Sequence, residues 1–182
     1  MNHHLSPTGA RVRSAALPPF DAADASPADG DGNRAMAIRL LHEALMIARG
    51  VAVRCERQYC AALRNRSPAL AAAALEHANA ARVQADNLIA RILGLGGTPA
   101  ASPGAVTLRT PAETRDVPSL VAVIGGYLVA GHATIETYRQ IATFMEPCDR
   151  TTQVLLENIV SGEEERASYL AALLEEAAMS AV

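Results

Sequence analysis

The stretch "AMAIRLLHEALMIARGVAVRCERQYCAALRNR", residues 35–66, sets small or apolar side chains at alternating steps of four and three. At 3.6 residues per turn those steps return to one face, so Leu41, Leu45, Ala48, Ala52, Cys55, Tyr59 and Ala62 form a single stripe on a long helix. A stripe of that length needs other helices to cover it, and the chain supplies three more. Ala74, His77, Ala81, Gln84, Leu88 and Ile92 share a face in "ALAAAALEHANAARVQADNLIARILGL". Ile124, Leu128, Gly131, Ile135, Tyr138 and Ala142 do so in the third segment, and Leu156, Ile159, Glu163, Arg166, Leu170 and Leu173 in the fourth. Half of the chain is apolar, much of it alanine, and only six residues are aromatic. Small side chains suit closely packed helices and serve strands poorly. The expected fold is all-α.

Punctuation between the stripes gives the topology. Ser67-Pro68 fits a turn followed by proline at the first helical position. Gly96 and Gly97 can supply the positive φ that stops the second helix, and Pro99 bars its continuation. The connection "TPAASPGAVTLRTPAETRDVPS" is long for a helical bundle, in which antiparallel neighbours need only a short loop. A segment of that length can travel the height of the bundle and leave the second and third helices parallel. A short "EPCDR" turn then joins the third helix to the fourth. Residues 1–33, rich in Ala, Pro, Asp, Ser and Gly, lack periodicity and large apolar side chains and read as a disordered extension, in which "LPPF" offers a weak docking element. The bundle is expected over 34–182.

A net charge of −3 gives no reason to expect nucleic acid or a membrane surface as partner. No apolar run is expected to reach the length of a bilayer span. The amino terminus lacks the apolar core of a secretory signal, which points to the cytoplasm. Cys55, Cys60 and Cys148 have no metal-ligand spacing and are expected as buried reduced thiols, Cys55 and Cys60 pointing in different directions from one helix.

Several strings resemble the bacterioferritins of the ferritin-like superfamily. "LLHEAL" is similar to the opening of that family's first helix, and "LIARILGLGGTP" to the end of its second. "TIETYRQ" resembles part of the third helix, and "LLENIVSGEEERASYL" the fourth, so that the likeness covers roughly residues 36–176. The resemblance implies a ferritin-like four-helix bundle with one long crossover between helices 2 and 3. It also implies a pair of irons held by a Glu on each of two helices and a Glu-x-x-His on each of the other two, a spacing that brings carboxylate and imidazole onto one helical face.

Carried across position by position, the resemblance puts the first-helix Glu at Ala48. The second-helix Glu and His fall at Ala81 and Gln84, the third-helix Glu at Gly131, and the fourth-helix pair at Glu163 and Arg166. One donor of six is retained. No glutamate in the chain is followed three positions later by histidine, so no other register supplies the motif. The family's haem-binding methionine corresponds to Arg82. Neither a ferroxidase centre nor haem is therefore expected, and iron enters only through the family likeness. If Glu163 is buried, Arg166, a partner's base or protonation should neutralise it.

Two other metal sites are conceivable: a relocated one built from Cys55, Glu56 and His77, and a surface pair of His132 and Glu136. Gly125 and Gly126 within the third helix suggest close backbone approach or a bend. The resemblance further implies a short fifth helix; the chain ends at Val182, and none is expected. That puts a twenty-four-subunit shell in doubt but keeps an antiparallel dimer through the first two helices. Three functional readings follow. The first is a structural or accessory subunit of an iron-storage type assembly, homo-oligomeric or combined with an active ferritin relative and lacking catalysis. The alternatives are an iron-independent homo-oligomeric binding or regulatory bundle, and an enzyme with a metal site near His77.

Overall fold

A computed structural model describes residues 30–100 and 118–179. Within them lie four helices, α1 (Gly30–Arg64), α2 (Pro68–Gly94), α3 (Leu120–Met145) and α4 (Arg150–Met179), and no strand. Helix α1 begins at Gly30, so residues 30–33 of the expected extension are its first turn. Asp31 there places a carboxylate at the positive end of the helix dipole. The rest of that extension and the middle of the crossover, residues 101–117, lie outside the described residues.

Each helix end is built by local hydrogen bonding. Arg66, at φ 53°, closes α1 in the left-handed region while the Ser67 N–H donates to Ala62 O at 3.0 Å. Ser67 then caps α2, its Oγ accepting from Leu70 N, and Pro68 follows as the first helical residue. At the other end of α2, Gly96 takes φ 76° and Gly97 N donates to Ile92 O at 2.9 Å. Gly97 does not share the positive φ. A Cβ there would come within 2.9 Å of Ile38 and Ile92, so its smallness is what the packing needs.

Contacts along the helices fix their directions. Arg34, early in α1, donates to Leu95 O just beyond α2, so these two helices run antiparallel. His77 of α2 and Cys55 of α1 both reach Tyr127 near the start of α3, whereas Tyr138 further along α3 donates to Ala44 O. Helices α2 and α3 therefore run parallel, as a crossover of this length predicts. The start of the crossover lies along α1. Arg34 Nε, His42 Nε2 and Arg49 Nη1 donate to the carbonyls of Leu95, Thr98 and Ala100 at 2.6, 3.0 and 3.1 Å.

At the same end of the bundle, Arg91 ties α2 to the start of α4. Its guanidinium donates to Asp149 Oδ2 at 2.6 Å and to Thr152 Oγ1 at 2.9 Å. Asp149 in turn caps α4 by accepting from Thr152 N at 3.1 Å. Burial raises the Asp149 pKa, but hydrogen bonds from Arg91 and Thr152 outweigh it and hold the carboxyl below the usual range.

The expected stripes are largely the buried ones. All six α2 residues named from the sequence are buried, and Tyr59 on α1 is half-buried. On α3 the stripe is turned slightly: Tyr127, Thr134, Ile141 and Met145 are buried, and Leu128 and Gly131 are half-buried. Two apolar clusters result, one around Leu41, Leu88, Tyr138 and Leu156, the other around Cys55, Ala74, Ile124 and Leu170. Among the described residues Gly125 and Gly126 serve no close approach: a Cβ at either meets nothing within 4 Å, and α3 stays helical past both. Contrary to the sequence expectation, α3 is long and apolar enough to cross a membrane by length and composition, the one such helix among the described residues. Its low charge density comes from Gly, Ala and Val between seam positions, and its seam packs into the bundle.

Candidate functional site: a buried ion-pair network

Glu163 on α4 is 3 % exposed and lies in the interior of the bundle. Three side chains donate to its carboxylate. His77 Nε2 reaches Oε2 at 2.8 Å, Gln84 Nε2 reaches Oε1 at 3.1 Å, and Arg166 Nη1 reaches Oε1 at 3.3 Å. His77 and Gln84 lie seven apart on α2, so two turns of one helix present both donors to one acceptor. Arg166, one turn beyond Glu163, folds back over Gly162, where a Cβ would sit 3.1 Å from its Nη1.

The network continues on the other side of the imidazole. His77 Nδ1 lies 2.5 Å from the Tyr127 hydroxyl, which lies 3.0 Å from Cys55 Sγ. The rings of His77 and Tyr127 are stacked, 8° from parallel with centroids 5.6 Å apart. A continuous hydrogen-bonded chain thus links a thiol on α1, a phenol on α3, an imidazole on α2 and a carboxylate on α4.

Its protonation follows from charge and burial. Burial disfavours a charged His77, but Cys55, reached through the Tyr127 hydroxyl, and the hydrogen bond and charge of Glu163 prevail and push the imidazole up to about 9. Burial likewise disfavours an ionised Glu163; the hydrogen bond and charge of His77, then Gln84 and Arg166, prevail and hold it below the usual carboxylate range. Tyr127 is pushed far above an ordinary phenol, by burial first and then by Cys55 and Glu163. At neutral pH the centre is an imidazolium–carboxylate pair with an added guanidinium.

The expected neutralising base, Arg166, is present, but His77 stands closer and better buried, with 6 % of its side chain exposed against 28 % for Arg166. Ala48 and Ala81 are fully buried and offer no donor atom. Gly131 is half-buried and open beside its Cα. Gln84 Oε1 has no hydrogen-bond partner. These residues do not fit a pair of irons. Three of the six positions carry no ligating side chain, a fourth is an amide, a fifth a permanent cation, and the sixth already accepts from three donors.

Of the residues suggested for a relocated metal site, Cys55 and His77 both reach Tyr127, but Glu56 is not brought to them. Glu56, one residue past buried Cys55, points outward and pairs with Arg82, the residue standing at the haem-methionine position. Both ring nitrogens of His77 are engaged, and among the described residues no group of three His, Cys, Asp or Glu is arranged to hold a metal ion. His132 and Glu136 are exposed, and Glu136 accepts from Gln140. Of the cysteines, Cys55 is buried, Cys148 half-buried and Cys60 exposed; all three are free thiols, but only Cys55 has the expected burial. Tyr127 was not legible as a member. The signal was an equally regular phasing on α3, Ile124-Tyr127-Gly131-Thr134-Tyr138, beside the one through Leu128.

A family model for the ferritin-like domain matches residues 60–180, most of the chain. The chain belongs to the ferritin-like family. Solved structures carry the same fold. An N-terminal deletion mutant of Dps from Mycobacterium smegmatis aligns with TM-score 0.70 at 21 % identity, over 80 % of this chain and 98 % of that one. A Desulfovibrio desulfuricans bacterioferritin, described with a diiron site in different catalytic states, aligns with TM-score 0.68 at 21 % identity, over 81 % and 82 %. Mycobacterium tuberculosis bacterioferritin gives 0.63 at 24 % identity, over 77 % and 84 %. A search of curated protein sequences finds no match.

Proposed function

We propose that this ferritin-like chain has no ferroxidase centre and serves as a structural or accessory subunit of an iron-storage type assembly in the cytoplasm. It would assemble with copies of itself, with or without a relative that keeps the six donors. One observation carries this reading: the carboxylate retained at Glu163 is engaged by His77, Gln84 and Arg166 rather than facing open ligands. Displacing those partners to admit iron would leave an imidazolium and a guanidinium facing a dication, with desolvation costing several kcal/mol per buried ion. Small residues at the vacated positions let the helices close without stranded charge.

Native mass spectrometry with elemental analysis tests this reading, together with a ferrous-oxidation assay. The expected result is an oligomer without stoichiometric iron, whose rate of ferrous oxidation equals that of buffer. Catalytic oxidation abolished by Glu163→Ala would overturn it. The iron-independent binding bundle remains a second reading, favoured by an open cleft of about 350 Å³ that reaches His77.

A further inference from the structure

The cleft lies where α2 and α4 stand apart. Ala72 and Ala73 form one wall, Tyr169 and Leu170 the other, and His77 with Tyr127 form the floor. Its volume is at the lower end of the range for small-molecule sites, about 300–1,000 Å³. Arg166 also lines it. Of the five N–H donors on that guanidinium, one is bonded among the described residues, to Glu163 at 3.3 Å, and the side chain keeps 28 % of its surface exposed. The walls are apolar and aromatic, with Tyr169 half in solvent.

Charge selects the occupant. With His77 and Arg166 positive and Glu163 negative, the inner group carries one uncompensated positive charge. Glu76 and Glu165 also border the cleft, but both are exposed, and among the described residues neither pairs with Arg166. Carboxylates on a wet rim are screened, whereas charges set into the floor act through a lower dielectric. An anion is therefore favoured inside, and the flat walls suit an aromatic body.

We propose that the cleft binds a small aromatic carboxylate, its carboxylate on Arg166 and its ring between Tyr169 and the alanine wall. The guanidinium offers the planar paired donors that a carboxylate accepts. Binding would also draw Arg166 from Glu163, leaving that carboxylate to His77 and Gln84. This inference is independent of whether the chain joins an iron-storage assembly.

The test uses the full chain and three probes of one shape: 1-naphthoate, the neutral 1-naphthamide and the cationic 1-naphthylmethylamine. Probe fluorescence is titrated at pH 7 up to about 1 mM, where even weak sites begin to fill. The acid should bind at least about tenfold more tightly than the amide and the amine, since a hydrogen-bonded charge pair is worth that much. Arg166→Gln should remove this preference for the acid. Ala73→Leu, which fills the cleft and leaves the charges, should weaken all three probes. Equal or tighter binding of the amine, no binding of the acid to the unmodified chain, or binding untouched by both variants would each overturn the proposal. The probe comparison on the unmodified chain decides the charge preference even if a variant fails to fold.

Discussion

The His77–Glu163 pair makes stability depend on pH in a direction that can be worked out in advance. Folding raises the His77 pKa from its ordinary 6.5 to about 9, so between those values the folded chain holds a proton that the unfolded chain has released. The stabilisation is complete below pH 6.5, declines as pH rises, and is gone above about 9. Its size, from the two pKa values, is about 3 kcal/mol. For a chain of this length that corresponds to a fall in Tm of about 6–12 °C. On the acid side the sign reverses. The Glu163 pKa is lowered, so its contribution is present above the ordinary 4.5 and lost as pH falls through the depressed value. Thermal melts by circular dichroism from about pH 2 to 10 read both limbs. The comparison must remove the pair and keep the rest of the chain. In Glu163→Gln the buried imidazole loses its anion and the decline between pH 6.5 and 9 should weaken; in His77→Gln, which removes the titrating ring, it should vanish. An unmodified chain with a flat Tm across that window, or a Glu163→Gln variant with an unchanged slope, would refute the reasoning.

Further outcomes follow from other contacts. Arg91→Ala releases Asp149 and Thr152 together and should cost about 2 kcal/mol in chemical denaturation. Gly97→Ala should cost about 1–3 kcal/mol through overpacking against Ile38 and Ile92, whereas exposed Gly126→Ala should gain roughly 0.5–1 kcal/mol; equal effects would contradict the packing described. Installing Ala48→Glu, Ala81→Glu, Gln84→His, Gly131→Glu and Arg166→His beside the native Glu163 should raise bound iron above that of the unmodified chain by elemental analysis. No gain in a folded variant would place the missing donors elsewhere.

Helices, their order and their buried faces were legible because 3.6-residue periodicity is a local property: the α2 stripe from Ala74 to Ile92 is buried throughout. The crossover was legible from its length alone. Burial of Glu163 could be read from its place on the α4 stripe. Its principal partner could not, because His77 lies 86 positions away and meets it only through the packing of α2 on α4. Tyr127 was hidden by a small rotation of α3, which moved the stripe from Leu128 toward it. Glu56 shows the converse. Sequence proximity to Cys55 suggested a shared site, but one residue on a helix is a turn of about 100°, enough to put it outside with Arg82.

The grip of α1 on the start of the crossover has an evolutionary corollary. Arg34, His42 and Arg49 hold main-chain carbonyls, which every residue possesses, so the side chains of Thr98 and Ala100 contribute nothing to the clasp. Relatives that keep this clasp should vary freely at those two positions while retaining hydrogen-bond donors at all three of the α1 sites. Deep mutational scanning should then reveal the same asymmetry, with tolerance concentrated on the strap and intolerance on the helix that fastens it.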